Sequence, residues 1–411
     1  MKRSRNILLS MIVCVVCVNA TLANPYAKIA VKDTKTMSTM RSAARKAKRS
    51  ASTAAERKPI RDYVLKCGIA PIATPENYAT DGKQLATFRE NILDMIDQSP
   101  SQTHAEIVSL CEKHFIGSRR DKLPGIANSD SFSPPARLNA MLVIAELNET
   151  EATRTQRVPK PSSMAGQYMT YVVGSNKYPQ YLRIAALNGL RRHAACGAVK
   201  SKRTLDAVLQ ILKEDAGPGM TDEALVWQRR LAIETLGLMK APALEKEITP
   251  YLTNKDAPLE LRCAAAEALG RLKYAATTKA QAESAIAPVG ALAVVACAKQ
   301  VDRITAELAL EEKEGQVLQV PRGPGEEDAP AHPIVQKTRR ILLTQLECVE
   351  TGVAGLSEVA TGDSKTLATG IATHLGELKA LLEGAKSMQP QDLRQQIATT
   401  ANKIDQIVAN R

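Results

Sequence analysis

The stretch Asp256-Ala-Pro-Leu-Glu-Leu-Arg262-Cys-Ala-Ala-Ala-Glu-Ala-Leu269-Gly270-Arg-Leu272 predicts an amphipathic helix. Small or apolar residues stand three, four and seven positions after Arg262, and these positions share one face of an α-helix. Pro258 fits the first helical turn, and Asp256 is well placed as an N-cap. The small side chains let another helix approach closely, so this helix requires a partner to cover it.

The same spacing occurs three more times upstream. Its anchor residues are Arg137, Arg183 and Arg229, separated by 46 and 46 residues, and Arg262 follows after a further 33. Apolar residues with helical periodicity precede or follow these anchors and could cover them: Ile107, Leu110, Cys111 and Phe115; Tyr168, Tyr171 and Val172; Leu205, Val208, Leu209 and Leu212. A helix-turn-helix unit therefore recurs along the chain, as in repeat proteins.

Composition agrees with an all-α fold. The 411 residues are 44% hydrophobic but only 3% aromatic, and Ala, Leu and Ile dominate the apolar set. A β-sandwich or β-barrel of this length depends on aromatic and β-branched side chains, so both classes are excluded.

The segment around Arg262 resembles the second half of a HEAT repeat, of the short kind also found in phycobilisome lyases. The shared pattern is an Asp, then an Arg, then Ala-x-x-Ala-Leu-Gly-x-Leu. The resemblance implies an α-solenoid of about five helix pairs over residues 63–351, with its core at 104–274. It also implies structural roles without catalysis for the repeat anchors Arg137, Arg183, Arg229, Asp256 and Arg262. Residues 290–297 and 339–346 read as two degenerate helices of the same kind.

The first residues indicate export. Lys2, Arg3 and Arg5 precede an apolar run over residues 7–18, and small residues at 21–23 suit cleavage after Ala23 or, as second choice, Ala20. The alternative is an uncleaved membrane anchor, but the run is shorter than the ~20 residues that a spanning helix needs. We therefore expect a signal peptide over 1–23 and a mature chain in the periplasm or cell envelope, as in exported bacterial HEAT-repeat proteins of unassigned function.

Residues 24–62 are strongly basic, with eleven basic and three acidic residues, whereas the chain from Tyr63 onward is nearly neutral. Few large apolar residues occur here, so we expect a flexible arm, or at most a transient helix. A functional alternative is attachment to an anionic polymer or lipid surface through residues 28–61, with contacts from Arg41, Arg45, Lys46, Lys48 and Arg49. No aromatic residues alternate with these cations for base stacking, which disfavours nucleic acid as a partner.

Two further segments follow the repeats. Prolines and glycines at 314–333 predict a loop that interrupts the solenoid. Residues 352–411 contain two amphipathic stretches, 367–382 and 393–408, which predict a helical hairpin. This hairpin either caps the last repeat or forms a dimerisation element, and the oligomeric state stays open.

Residues suited to catalysis or metal binding are sparse. The five histidines include no pair four residues apart on one helix, and no nucleotide or hydrolase motif occurs, so we expect no cofactor, no metal and no enzymatic activity. Six cysteines follow the signal, and Cys67 with Cys111 is the pair to test for a disulfide; the others are Cys196, Cys263, Cys297 and Cys348.

The sequence thus favours an exported, non-enzymatic scaffold that binds an unidentified protein of the cell envelope through a HEAT-repeat surface. The alternative is a tether to an anionic surface through the basic arm. A remote alternative, implied by the resemblance alone, is a bilin-lyase-like enzyme.

Overall fold

A computed structural model describes residues 24–50, 53–78, 83–97, 99–217, 220–314 and 332–410. The predicted signal peptide and most of the predicted loop 314–333 lie outside the described residues. The structure is 75% helix and 3% strand, which confirms the all-α prediction. The chain divides into two compact units, residues 1–143 and 144–411, so the predicted body 63–351 contributes to both.

The first unit is built from short helices and one small β-ladder. Its core includes Ile60, Cys67, Ile92, Ile107 and Phe115, all at most 1% exposed. The helices are α1 (Thr34–Ser50), α2 (Lys58–Tyr63) with a π-helical continuation (Val64–Ile69), α3 (Ala70–Ala73), α4 (Lys83–Ile96), α5 (Ser101–Phe115) and α6 (Pro134–Glu146), and a 3-10 turn spans Pro75–Tyr78. Strands β1 (Gly117–Ser118) and β2 (Leu123–Pro124) pair antiparallel.

Residues 24–62, predicted to be a flexible arm, include a packed helix in their described part. Helix α1 packs against α2, its Ala44 is fully buried, and Tyr26 before it is 1% exposed. The Tyr26 hydroxyl lies 3.0 Å from Nδ1 of His114, on α5. The arm cannot order itself, but it gains apolar and polar contacts from residues far along the chain, and these offset the entropy of ordering it.

The second unit begins with strands β3 (Asn148–Thr150) and β4 (Lys160–Pro161), which pair antiparallel. Its helices are α7 (Ser163–Val173), α8 (Gln180–Ala195), α9 (Lys202–Lys213), α10 (Asp222–Met239), α11 (Glu245–Thr253), α12 (Leu259–Arg271), α13 (Lys279–Glu314), α14 (Pro333–Ser357), α15 (Gly362–Gly384) and α16 (Pro390–Ala409). Three 3-10 turns occupy Pro242–Leu244, Ala276–Thr278 and Ala385–Ser387.

Successive helices of this unit pair, and alternate helices form a row. Helix α7 packs on α8, α9 on α10 and α11 on α12, while α8, α10, α12 and α14 lie side by side in that order. Small residues allow the helices of this row to pack closely. A Cβ added to Gly237 would lie 2.5 Å from Cα of Ala268, and one added to Gly270 would collide with the backbone of α14. The small residues of the arginine-anchored segments therefore stand where neighbouring helices touch.

The C-terminal helices are longer than the sequence patterns predict. Residues 290–297 lie inside α13, which has 36 residues, and residues 339–346 lie inside α14, which has 25. The predicted boundary between residues 351 and 352 falls within α14 and is therefore wrong. Helices α13, α14, α15 and α16 pack on one another. Each of them therefore buries its apolar face against more than one neighbour, and the longer helices extend beyond the length of a single repeat helix.

One helical stretch of the described residues is long and apolar enough to span a membrane. It covers Ala276–Lys313, and 50% of its most apolar window is buried inside the fold. The core helix of a soluble protein passes the same test of length and composition, so these two properties do not assign the helix to a membrane.

Candidate functional site

The anchor arginines bind backbone carbonyls at the ends of preceding segments. Arg183, with a side chain 6% exposed, donates from Nε (3.2 Å) and Nη2 (3.0 Å) to the carbonyl of Val173, the last residue of α7. Arg262 donates from Nε to the carbonyl of Leu252 at 3.2 Å, near the end of α11. In both cases the acceptor lies ten residues before the arginine.

Arg137 and Arg229 vary this arrangement. Arg137 donates from Nε to the carbonyl of Ala127 at 3.4 Å, again ten residues back but in a turn, and also pairs with Asp130. Arg229 donates from Nη2 to the carbonyl of Glu214, the C-cap of α9, at 2.9 Å. The last carbonyls of a helix lack intrahelical donors and carry partial negative charge. A guanidinium at this position donates the missing hydrogen bond and places a positive charge beside the helix end. The contacts of Arg183, Arg229 and Arg262 join consecutive helices, and the contact of Arg137 joins α6 to the turn before it.

Asp256 does not cap α12. The N-cap is Pro258, which makes no side-chain cap, and its carbonyl accepts the backbone N–H of Arg262 at 3.2 Å. Asp256 is exposed, and its own N–H donates to Oδ1 of Asn254 at 3.0 Å. The helix begins two positions later than predicted, which leaves the carboxylate too far from the first free N–H groups to accept from them.

The predicted polyanion contacts are largely used inside the first unit. Arg41 and Arg45 reach Asp94 at 3.3 and 3.7 Å. The Nζ of Lys48 donates to the carbonyl of Asp94 at 2.8 Å and also to that of Asp97, so it covers the C-terminal end of α4. Lys46 and Arg49 of this set remain exposed on α1, and neither forms an ion pair with a described residue.

All six described cysteines are free thiols, so the Cys67–Cys111 disulfide is not formed. Burial raises the pKa of Cys67 to about 11 and the pKa of Cys263 and Cys297 to about 12. These thiols stay protonated near neutral pH and behave as small apolar side chains. Among the described residues, no group of three or more His, Cys, Asp or Glu residues is placed to hold a metal ion.

Side chains on the helix row make polar contacts between α8 and α10 and between α12 and α14, and we call this group of residues the polar ladder. Its members are Arg191 on α8, Trp227, Arg230 and Glu234 on α10, Glu267 and Arg271 on α12, and Cys348 on α14. Glu234 accepts from Arg230 at 2.7 Å and from Arg191 at 3.1 Å. Cys348 donates to Glu267 at 3.5 Å, and Arg271 also pairs with Glu267.

Trp227 stands at an exposed position of this ladder. Its side chain is 50% exposed, and the guanidinium of Arg230 lies 5.4 Å from the centre of its ring. Burial would lower the pKa of Arg230, but the Glu234 hydrogen bond and the charges nearby raise it overall. The guanidinium is therefore a fixed cation that orients the indole ring. A large, oriented aromatic side chain in open solvent is available for contact with a partner.

The second candidate site is a cleft of about 690 Å³ in the second unit. Its walls are the β3–β4 ladder with its loop, α7, the end of α8 and the start of α9. The chemically active side chains that line it are Glu149, Lys160, His193, Cys196, Lys200 and Arg203.

Three hydroxyl groups form a chain on the wall of the cleft. Thr204 lies 2.9 Å from Thr170 and 2.8 Å from Ser201 by their oxygen atoms, and Ser201 caps α9 by accepting the Thr204 N–H at 3.1 Å. On the other side, Glu149 accepts the Ser163 N–H at 3.1 Å and pairs with Lys160 at 2.5 Å. The hydrogen bonds to Lys160 and Ser163 lower the pKa of Glu149, so it is a carboxylate at neutral pH.

His193 is the buried titratable group of the cleft. Its side chain is 2% exposed, and its Nε2 atom makes no hydrogen bond to the described residues. Burial, aided by the charge of Arg192, lowers its pKa to about 4, while a hydrogen bond to the Ala145 backbone opposes the shift. The ring is thus neutral at physiological pH and holds one unused hydrogen-bonding atom.

Neither the polar ladder nor the cleft follows from the sequence patterns. The one signal available was Trp227, the single tryptophan of the chain, two residues before an anchor arginine. No sequence pattern predicts the cleft, because its lining residues come from four separate elements. Comparison of the chain with protein-family models, curated proteins and solved structures finds no match. Function therefore has to be argued from the geometry of these two features.

Proposed function

We propose that this chain is a non-enzymatic protein-interaction scaffold whose helices α7 to α14 form a HEAT-type solenoid. Support comes from the paired helices, from the row α8, α10, α12 and α14, and from arginines that bind the end of the preceding helix. A row of parallel-stacked helices offers a continuous surface built from many short segments. Such a surface binds a partner by shape over a wide area rather than in a deep catalytic pocket.

The exposure of Trp227 on the polar ladder carries this proposal. Tryptophan and arginine are enriched among the residues that dominate the binding energy of protein interfaces, where the surrounding contacts exclude water. Trp227 is half exposed beside Arg230, and Arg191 and Arg230 both form ion pairs with Glu234. A partner can therefore cover the indole ring while both ion pairs stay formed.

The basic, apolar and small-residue pattern of residues 1–23 supports a location for this scaffold outside the cytoplasm. We propose that the partner is a protein of the cell envelope. Its contact surface should be apolar at the centre, to cover Trp227, and polar around it.

The test uses photocross-linking at two positions of the full chain. A benzoylphenylalanine is placed at position 227 or, as control, at position 310 of α13, where the native Leu310 is 56% exposed. After illumination of producing cells, the proposal predicts a discrete envelope-protein adduct from position 227 and none of that mass from position 310. Equal adducts from both positions, or none from either, would contradict it.

The single tryptophan supplies an independent readout. The partner identified by cross-linking can be purified and titrated into the native chain. Its binding should shift the fluorescence emission of Trp227 to shorter wavelength, because the ring leaves water. The Trp227→Ala variant should lose about 30-fold or more in affinity, since hot-spot truncations cost about 2 kcal/mol or more. Unchanged affinity would place the interface elsewhere.

A second candidate function is attachment to an anionic surface through α1. The observation in its favour is that Lys35, Lys46 and Arg49 remain exposed on this helix after Arg41, Arg45 and Lys48 have bound α4. Replacing the three exposed cations by Gln should then abolish binding to phosphatidylglycerol vesicles at low salt. Retained binding would contradict this candidate.

A further inference from the structure

Helices α12 and α14 each carry a cysteine on the face where the two helices meet. On α12 this face consists of residues spaced three, four and seven positions apart, namely Cys263, Ala266, Glu267 and Gly270. On α14 the same spacing gives Cys348, Thr351, Gly352 and Gly355. Residues at these spacings share one side of a helix. Each cysteine therefore stands at the N-terminal end of the contact face of its helix.

Backbone contacts fix the register of the two faces. A Cβ added to Gly355 would lie 2.9 Å from Cα of Gly270, and one added to Gly352 would lie 2.7 Å from the carbonyl oxygen of Ala266. The residue numbers of both helices fall from the first contact to the second. The helices therefore run parallel, and their backbones touch.

One turn further toward both N-termini, the same register places Cys263 opposite Cys348. The Sγ atom of Cys348 donates to Oε2 of Glu267, on the contact face of α12, at 3.5 Å. Burial is the chief cause that raises the pKa of both thiols, and the charges of Glu267 and Arg230 act on both. A negative charge on Cys263 also raises the pKa of Cys348. The two sulfur atoms thus share their neighbours and lie within range of each other's charge.

The close approach of the helices is what a disulfide between them needs. A disulfide requires Cα atoms about 4.4–6.8 Å apart. Helices with ordinary side chains at their interface keep their axes about 8–10 Å apart. The backbones of α12 and α14 come closer than this, because they touch at glycines within two turns of the cysteines.

We propose that Cys263 and Cys348 form a site of oxidative modification, at which a disulfide joins α12 to α14. The bond fixes the C-terminal helices to the row of repeat helices. This inference goes beyond the scaffold function and does not depend on it, because the bond forms within the chain whether or not a partner covers Trp227.

The reaction consumes a disulfide oxidant, such as oxidised glutathione. Cys348 is the more exposed of the two thiols, so it reacts first. Its thiolate attacks one sulfur of the oxidant, the S–S bond of the oxidant breaks, and the released thiolate takes up a proton. Cys263 then loses its proton and attacks Sγ of Cys348, which expels the second thiol of the oxidant. Two cysteine thiols are oxidised, and the oxidant is reduced to two thiols.

The surroundings favour the disulfide once it has formed. Burial raises the pKa of Cys263 to about 12, and burial together with Glu267 raises the pKa of Cys348. Because the protein stabilises neither thiolate, both sulfur atoms are poor leaving groups in thiol exchange. We therefore expect a bond that forms slowly and resists reduction, as a structural cross-link does.

Peptide mapping of the full chain tests the bond directly. The folded protein is incubated with oxidised glutathione, its remaining thiols are blocked with iodoacetamide, and it is digested with trypsin without reduction. The expected product links residues 263–271 to residues 341–365, two tryptic peptides that contain one cysteine each. A glutathione adduct of Cys348 without the linked product, or a linked product that forms only in urea, would overturn the proposal.

Two variants and a matched control identify the partners. The linked product should be lost in Cys348→Ser and in Cys263→Ala. Cys196→Ser is the control, because Cys196 is also a partly exposed thiol of the second unit, and this variant should give the linked product in full. Loss of the product in the control as well would mean that the pairing is not specific and would overturn the proposal.

Thermal unfolding measures the effect of the bond on stability. The oxidised native chain should unfold at least about 5 °C higher without dithiothreitol than with it, because the cross-link restricts the unfolded chain. The Cys348→Ser variant should have the same midpoint in both conditions. Equal midpoints for the oxidised native chain would overturn the role of the bond as a structural cross-link.

Discussion

The guanidinium of Arg183 binds the carbonyl oxygen of Val173, ten residues earlier, through both Nε and Nη2. Arg262 repeats the contact with Leu252 at the same separation. Each arginine lies in the first turn of one helix and donates to a carbonyl at the end of the helix before it. The turn between the two helices is therefore held at both ends, which explains why arginine stands at the start of each repeated segment.

Loss of this contact should destabilise the second unit. Arg183 also pairs with Glu214 at 2.7 Å, and its side chain is 6% exposed. We expect Arg183→Gln to lower the free energy of unfolding by about 2–4 kcal/mol, because a helix end and a carboxylate lose their partner together. Urea unfolding followed by circular dichroism measures the change. Arg191→Gln, at a side chain 43% exposed, should cost less than about 1 kcal/mol, and a similar cost for both would contradict the prediction.

Close packing in the helix row predicts that Gly237 tolerates no side chain. A Cβ there would lie 2.5 Å from the Cα of Ala268, and both helices would have to separate. We expect Gly237→Ala to cost about 1–3 kcal/mol of unfolding free energy. Gly376→Ala on α15 is the control, since nothing lies within 4 Å of the added Cβ. That variant should be neutral or stabilising by up to about 1 kcal/mol, because alanine favours the helix.

The docking of α1 can be tested by proteolysis. Ala44 is fully buried, whereas the adjacent Ala43 is exposed. We expect Ala44→Glu to release α1, because an unpaired carboxylate cannot enter the apolar contact, and trypsin should then cut quickly at the many basic residues of 24–62. The Ala43→Glu chain should resist trypsin as the native chain does. Rapid cleavage of the native chain at these sites would restore the prediction of a flexible arm.

His193 makes the stability of the second unit depend on pH. Its pKa is lowered to about 4 in the folded state, below the ordinary value of 6.5, so the unfolded chain binds a proton more readily between these values. Stability should therefore be complete above about pH 6.5 and fall as the pH drops toward 4, by at most about 3 kcal/mol for this residue. His193→Gln removes this dependence.

Thermal unfolding between pH 4 and 7 measures this effect, and His374→Gln on α15 of the same unit is the control. The native chain and the His374→Gln variant should lose stability in parallel toward low pH. A decline of equal steepness in His193→Gln would show that other groups cause it. His114 also has its pKa lowered to about 4, chiefly by burial, so the first unit should show a similar trend.

Several elements could be predicted from the sequence because their signals are local. The helices anchored at Arg183, Arg229 and Arg262 follow from apolar residues at helical spacing, and the low aromatic content excludes large β-sheets. The length of α13 could not be predicted in this way. The pattern at residues 290–297 predicts only a short helix, yet α13 runs from Lys279 to Glu314, because neighbouring helices cover it along its length.

The sequence by itself determined that this chain is helical and that arginine-anchored amphipathic segments recur along it, since periodicity and helix propensity act over a few residues. The tertiary structure alone decided that the basic stretch folds onto its own unit, because Arg41 meets Asp94, 53 residues away. It also decided where the polar ladder and the cleft lie. Arg191 and Glu234 are 43 residues apart, and Thr170 and Thr204 are 34 apart, and no local pattern predicts which distant side chains the packing of helices brings together.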